Sequence, residues 1–160
     1  MNREELIRRY TAGERNFSGI TFYDPGLDGM DMSGADFTGN RMDEFYLARA
    51  ILKGVSFVNT QLVQSCLDSA DLTGADLRGA RLGWASLNVA NLTNADLRGA
   101  KFRNTTFLKA NLTGANLSGT DLGGCDFSEA NLTGANLERS NLHRTVFRNT
   151  IMPDGSICNS

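Results

Sequence analysis

The stretch Ala110-Asn-Leu-Thr-Gly-Ala-Asn-Leu-Ser-Gly119 contains two successive copies of a five-residue unit, A-(D/N)-L-x-G. The same unit occurs at Ala75-Asp-Leu-Arg-Gly79. Its central position holds Leu, Phe or Met at every fifth residue from Phe17 to Met152, which makes 28 consecutive units. Two residues before the centre, every position from Ala50 to Thr150 is Ala, Ser, Thr, Cys or Val. This unbroken register decides the fold.

A period of five matches neither the helical period of 3.6 residues nor the strand period of two. The pattern works if each unit is a short extended piece followed by a bend that restores the inward direction. The small residue and the central residue then point inward, and the residues on either side of the centre point outward. The fifth residue lies at a corner, where glycine tolerates backbone angles that other residues resist. Repeated bends of one hand therefore predict an all-β solenoid.

The register over residues 15–154 resembles that of the pentapeptide-repeat family. In that family, four pentads form one square coil, and the coils stack as a right-handed quadrilateral parallel β-helix. The resemblance therefore implies about seven four-pentad coils, with a rod of about 29 Å at the spacing of parallel strands. The flanks Arg8-Arg-Tyr-Thr-Ala-Gly-Glu-Arg-Asn-Phe17 and Ile151-Met-Pro-Asp-Gly-Ser-Ile157 resemble those of cyanobacterial members, some of which regulate cell differentiation.

Both ends of the repeat carry short extra segments. Residues 1–14 are expected to form a capping α-helix, with Asn2 as N-cap, Glu5 completing a capping box and Gly13 ending the helix. The apolar face of this helix is expected to consist of Leu6, Ile7 and Tyr10. At the other end, residues 155–160 form a tail in which Ile157 is expected to fold over the last coil.

Composition limits the binding partners and the cellular compartment that can be expected for this protein. The chain has 160 residues and a net charge of −2, so no basic surface indicates nucleic-acid binding. It has no apolar run of membrane-spanning length, and Met1–Tyr10 is too charged for a signal peptide. Cys66 is expected to point outward and Cys125 inward, about 14 Å apart and beyond disulfide reach. Reduced thiols in the cytoplasm are the expectation.

The sequence offers no catalytic constellation. His143 is the only histidine, and it has no second metal ligand or orienting partner within the repeat. The recurring aspartates share one pentad position with asparagine, so we interpret them as a structural ladder on stacked strands. Metal-ligand spacings and phosphate-binding glycine loops are absent. We therefore expect no enzyme activity, no cofactor and no metal.

On two of the four sides of the predicted rod, the outward-facing residues depart from the repeated A-(D/N)-L-x-G unit. One side carries the cations Arg41, Arg81, Lys101 and Arg103, with Trp84 at its corner. Arg103 is expected to stack on the Trp84 ring for about 0.5–1 kcal/mol. Aromatic residues and arginine are enriched at interface hot spots. The adjoining side points apolar groups outward, which makes the candidate protein-binding set Arg81, Trp84, Lys101, Arg103, Leu108 and Tyr46. The alternative is an ordinary solvated surface, because scattered exposed apolar residues are common.

Three functions remain open at this stage. The first is a non-catalytic protein–protein interaction module or regulator, a rigid rod that presents flat faces to a protein partner. The second, implied by the family resemblance, is a DNA-mimicking protein that binds gyrase and gives quinolone resistance, although the net charge is only −2. The third is a purely structural or assembly subunit. The protein is expected to be a monomer or an end-to-end dimer formed through Ile151, Met152 and Ile157.

Overall fold

The computed structural model describes residues 1–160 and begins with one helix, α1, at Arg3–Thr11. The side-chain oxygen of Asn2 accepts the Glu5 N–H at 2.9 Å, which confirms the predicted N-cap. The capping box is not completed, because the Glu5 carboxylate lies 4.0 Å from Arg9 on the next turn instead. Gly13, with φ of +96°, follows the last helical residues and turns the chain.

Helix α1 packs against the start of the repeat through one face. Leu6 is fully buried and belongs to the hydrophobic core. The Tyr10 hydroxyl donates to the Ser33 carbonyl oxygen at 2.9 Å. Ile7 is exposed, so the expectation that it shares this apolar face is wrong. It lies one position beyond Leu6, about 100° further round the helix, and therefore faces solvent.

Parallel bridges join residues that are twenty apart from Asn16 to Ile151. The bridges fall into four columns, which define the four sides of the rod. Side 1 runs from Asn16 to Asn136, side 2 from Arg41 to Asn141, side 3 from Gly26 to Val146 and side 4 from Asp31 to Ile151, each in steps of twenty. The chain thus completes one coil every twenty residues, as four pentads to a coil require.

The interior is a stack of central side chains. The fully buried leucines Leu72, Leu92, Leu112 and Leu132 lie on side 4, where parallel bridges join their preceding neighbours. Aromatic rings stack elsewhere in the same way, with ring centroids 4.6 Å apart for Phe107 and Phe127. The predicted interior pile is therefore confirmed, and burial of these side chains is the main stabilising term of the fold.

Most polar side chains in the small inward position donate a hydrogen bond to a backbone carbonyl of the preceding coil, and Thr120 donates within its own coil. The side chains of Thr60, Thr105 and Thr150 each donate to the carbonyl of the residue 23 positions earlier. The Cys125 thiol does the same to the Phe102 carbonyl at 3.0 Å. Burial raises the pKa of this thiol to about 12, so it stays protonated. All three cysteines are free.

The C-terminus forms a small antiparallel hairpin of β1, Thr150–Ile151, and β2, Ile157–Cys158. The register pairs Ile151 with Ile157, and the Ile157 side chain is 58% exposed. The expectation that Ile157 folds over the last coil is therefore wrong. Side chains alternate along a strand, so Cys158 rather than Ile157 packs against the core. No helix of the protein has the length and apolar character that crossing a bilayer requires.

Candidate functional site

The corners of the rod divide its sides into two pairs. We define the corner as the residue two positions after the centre of each pentad. On sides 1 and 4 the corner residues with positive φ are mostly glycine, and the exceptions are Asn59, Asn94 and Arg139. On sides 2 and 3, from Glu44 onward, glycine occurs only at Gly124. The other corners there, with φ between 51° and 62°, are Glu44, Arg49, Gln64, Ser69, Trp84, Val89, Asn104, Lys109, Glu129, Arg144 and Asn149.

On sides 1 and 4, the polar side chains form ion pairs and hydrogen bonds with neighbouring residues of the same side. On side 1, Arg78 contacts Asp76 at 2.7 Å, and Arg98 contacts Asp96 at the same distance. The hydrogen bonds from Arg98 hold the pKa of Asp96 below its ordinary value. Side 4 carries a ladder of Thr and Asp or Asn, in which each Thr hydroxyl donates to the acid or amide two residues earlier. We interpret both sides as solvated walls.

Side 2 carries two cations with no acidic partner. Arg81 and Lys101 are bridge partners in successive coils, and neither forms an ion pair. The nearest acid in the column, Asp121, is the bridge partner of Lys101. It pairs with Arg103 instead, at 3.1 Å. The structure therefore leaves two adjacent positive charges on an open surface.

Trp84 lies beside this pair of cations and is 66% exposed. Its backbone N–H donates to the Arg103 carbonyl at 2.9 Å, so the two residues are neighbours in successive coils. The predicted cation–π stack of Arg103 on Trp84 is wrong. The only such contacts are made by Arg9 and Arg15 near the N-terminus. The Arg103 guanidinium turns to Asp121, because a charge-assisted hydrogen bond is stronger than an exposed cation–π contact.

Side 3 continues the exposed apolar area. Leu108 is exposed, and its carbonyl accepts the N–H of Val89 at 2.8 Å. Val89 is 56% exposed and was missed from the sequence, although a β-branched residue in the corner position was the available signal. A β-branched residue at positive φ is an outlier, and here φ is +60°. Strained residues of this kind concentrate at functional sites.

Tyr46 does not belong to the same cluster. It lies on side 3, where Cys66 separates it from Ser86, the residue of this column in the coil of Trp84 and Val89. Tyr46 is therefore two coils, or about 10 Å along the axis, from the cluster. We therefore define the candidate docking surface as Arg81, Trp84, Val89, Lys101, Arg103 and Leu108. Tyr46 instead lines a groove at the first coil, together with Tyr23.

The surface has no arrangement suited to metal binding. No group of three or more His, Cys, Asp or Glu side chains is placed to hold a metal ion. The imidazole of His143 is exposed and forms no hydrogen bond, while its backbone N–H donates to the Asn141 side chain and its carbonyl accepts the Gly124 N–H. What the geometry offers is a flat, rigid wall with exposed apolar groups and two free cations.

Solved structures similar to this chain include the following three. A pentapeptide repeat protein from the thylakoid lumen of Arabidopsis thaliana is 30% identical, with 64% of this chain and 68% of that chain covered and a TM-score of 0.42. HetL from the cyanobacterium Nostoc sp. strain PCC 7120, which is involved in heterocyst differentiation regulation, is 28% identical over 99% of this chain and 100% of HetL, with a TM-score of 0.30. Rfr23 from the cyanobacterium Cyanothece 51142 is 24% identical over 93% and 97%, with a TM-score of 0.40.

A comparison with curated proteins gives no match. The family described as pentapeptide repeats (8 copies) matches over residues 31–68, 65–104, 90–128 and 110–149. These segments overlap and together span most of the rod described above. The chain therefore belongs to the pentapeptide-repeat family, whose members fold as right-handed quadrilateral β-helices and include cyanobacterial proteins.

Proposed function

We propose that this protein is a non-catalytic binding module, a rigid rod of about seven coils closed at its N-terminal end by α1, whose sides 2 and 3 dock a protein partner. The distribution of corner residues carries the proposal. A residue with a Cβ in the left-handed region costs about 1–2 kcal/mol relative to its right-handed conformation. Sides 1 and 4 mostly avoid this cost with glycine, whereas sides 2 and 3 bear it in almost every coil.

The side chains held at those strained corners are large. Trp84 and Val89 extend outward from the two edges of side 3, with Leu108 between them in the next coil. A fold that needed only a solvated wall would gain stability from glycine at both corners. We infer that these side chains are kept because they contact a partner, since function and stability commonly trade off in this way.

The unpaired charges indicate the chemistry of the partner. Arg81 and Lys101 lie one coil apart, and neither forms an ion pair with an acid of this chain, since Asp121 pairs with Arg103. An acidic surface on the partner would complement them and raise the association rate. The proposed partner is therefore a protein with an acidic patch beside an apolar one, and the contact area is expected to include Trp84 as an anchor.

Affinity capture from native lysate tests the proposal, with the double variant Trp84→Gly/Val89→Gly compared against wild type. Both substitutions relieve strain, so the variant keeps the fold. We expect capture of a reproducible partner by wild type and a loss of about 30-fold or more in affinity by the variant. Arg139→Gly is the matched control, because Arg139 has φ of +59° on side 1. Equal yields from the double variant and wild type would remove this surface from consideration.

The structure does not favour the DNA-mimicking alternative. A DNA mimic needs an uninterrupted acidic stripe, and the column of Asp76 and Asp96 is covered by Arg78 and Arg98. We expect no inhibition of gyrase supercoiling at micromolar protein. The cytoplasmic location remains a prediction, supported by three free cysteines.

The assembly alternative has an observation of its own. In the last coil, Leu137 is partly buried and Leu142 is 39% exposed, and the backbone N–H groups of both lack backbone partners. Sides 1 and 2 thus end in an open edge, whereas the hairpin and tail cover sides 3 and 4. Sedimentation at several concentrations tests whether this edge pairs with a second copy. Ile157, which lies in the hairpin, is not part of it.

A further inference from the structure

The first coil fails to pair with the second on side 2 alone. Parallel bridges connect the first two coils on the other three sides, at Asn16↔Asp36, Gly26↔Tyr46 and Asp31↔Ile51. On side 2 the bridges begin only at Arg41↔Gln61. Thr21 and Tyr23, which should pair with the Arg41 strand, instead form backbone hydrogen bonds to Met1.

The dipeptide Asp24-Pro25 explains this break. Asp24 occupies the corner position, which has positive φ in the regular coils, yet it is not among the residues with positive φ. A proline forces the preceding residue towards extended conformations. The corner therefore cannot form at Asp24, and residues 21–24 make no hydrogen bond to the coil that follows, although Ile20 and Pro25 at either end still do.

The separation leaves a short strand edge without partners. The N–H and C=O groups of both Arg41 and Asp43 form no hydrogen bond within the chain. In parallel pairing, three of these groups would bond to the preceding coil, namely the Arg41 N–H and the carbonyls of Arg41 and Asp43, as their equivalents at Gln61 and Val63 do. On side 3, the equivalent groups of Tyr46 are bonded to Pro25 and Leu27, at 2.8 Å each. The edge at Arg41–Asp43 is thus free at the one place in the rod body where an adjacent strand is expected.

A groove of about 670 Å³ lies along this edge. Tyr23 and Tyr46 line it and are 80% and 56% exposed. Phe22 and Phe45 are the more buried aromatic residues of the lining, with ring centroids 5.8 Å apart. The lining also includes Glu44, which forms no ion pair, whereas the neighbouring Arg41 and Asp43 side chains pair with each other at 2.9 Å. The only uncompensated charge lining the groove is therefore negative.

We propose that this groove binds an extended peptide segment of a partner protein, which adds a strand to the free edge at Arg41–Asp43. The carboxylate of Glu44 and the two tyrosine rings favour a Lys or Arg in the peptide, and the aromatic lining favours apolar neighbours. Backbone pairing supplies the affinity, and the alternating side chains supply the specificity. This site is separate from the docking surface around Trp84 and does not depend on it.

The experiment probes the full-length protein with an array of hexapeptides built from Val, Thr, Leu and Tyr with one Lys. A second array carries Glu in place of Lys, and a third carries N-methylated backbones. We expect the best Lys peptide to bind at least about tenfold more tightly than its Glu counterpart and its N-methylated counterpart. The amide NMR signals of Arg41 and Asp43 are expected to shift on binding. Absence of binding from all arrays, or equal binding of the N-methylated peptides, would overturn the proposal.

A variant that closes the groove gives an independent test. Asp24→Gly/Pro25→Ala allows the corner to form, so the strand at Thr21–Tyr23 is expected to pair with Arg41–Asp43. Peptide binding should then be lost while the melting temperature rises. Glu44→Lys should weaken the Lys peptide at least about tenfold, and Glu129→Lys, at a corner of side 3, should leave it unchanged. Binding retained by the closed variant, or a concentration-dependent dimer that this variant abolishes, would contradict a peptide site.

Discussion

Asn59 and Gly79 occupy successive corners of side 1 and interlock. A Cβ added at Gly79 would overlap the Asn59 amide oxygen and come within 3.5 Å of Asn59 Cγ. One coil further along, a Cβ at Gly99 would meet nothing within 4 Å. The two glycines have the same φ of +67°. The substitutions Gly79→Ala and Gly99→Ala therefore share one backbone strain and differ only in the contact with Asn59.

The two effects have separable magnitudes. The shared strain of a Cβ in the left-handed region is about 1–2 kcal/mol. The lower entropy of the unfolded alanine chain offsets about 0.4–1 kcal/mol of it. Gly99→Ala should thus cost about 1 kcal/mol of unfolding free energy. Gly79→Ala also forces the Asn59 side chain away from its rotamer, which adds about 0.5–1.5 kcal/mol, for a total of about 2 kcal/mol.

Denaturant unfolding followed by far-UV circular dichroism measures both costs against wild type. The double variant Asn59→Gly/Gly79→Ala is the control, because removing the amide leaves only the shared strain. When Asn59 is replaced by glycine, we expect Gly79→Ala to lower the free energy of unfolding by only as much as Gly99→Ala does in wild type. The coupling free energy between Asn59 and the alanine at position 79 is therefore about 1 kcal/mol. Equal costs for the two single variants would refute the claim that corner side chains contact across coils.

Four further predictions concern the single residues Val89, Cys125 and Asp96. Val89→Gly should raise the free energy of unfolding by about 0.5–1 kcal/mol, since relief of strain outweighs the entropy of glycine, and a lower denaturation midpoint would contradict this. Cys125 should resist a thiol reagent at pH 8 until the protein unfolds, while Cys66 and Cys158 react; rapid modification of all three would be the opposing result. Because the unfolded thiol has the ordinary pKa of 9.0 and the folded one a pKa of about 12, stability should also fall between these pH values, and Cys125→Ala should remove that fall. As the pH falls below 3.8, the ordinary pKa of Asp96, the free energy of unfolding should decrease less for Asp96→Asn than for wild type. The reason is that the pKa of Asp96 is lowered in the folded state, so its carboxylate stabilises the fold only when ionised. The same decrease in both proteins would count against the Arg98 contact.

The period of five was sufficient to predict the interior. Leu72 and Leu112 are buried as their position in the pentad requires, and the spacing of twenty placed Arg81 beside Lys101. The burial follows from the register alone, whereas the spacing of twenty was implied by the family resemblance, in which four pentads form one coil. The outward position of Trp84 was predictable from the register as well.

The details that failed depend on competition between neighbours, which a period does not encode. Arg103 had both Trp84 and Asp121 within reach, and the carboxylate gives the stronger interaction. The break at Thr21 arises from Pro25, whose effect on the preceding residue outweighs an otherwise regular pattern. Ile157 lies beyond the repeat, where a hairpin rather than the pentad sets which side chains face inward.

The bridge spacing of twenty has a consequence for how the gene for such a rod can change. A deletion or duplication of sixty nucleotides removes or adds one full turn, and every remaining side chain keeps its inward or outward direction. An in-frame change of five, ten or fifteen residues keeps the inward or outward direction of each side chain but moves all downstream residues to a different side, and other in-frame lengths break the pentad register. Duplication or loss of whole coils can therefore change the length of the rod in steps of about 4.8 Å without changing which residues each side presents.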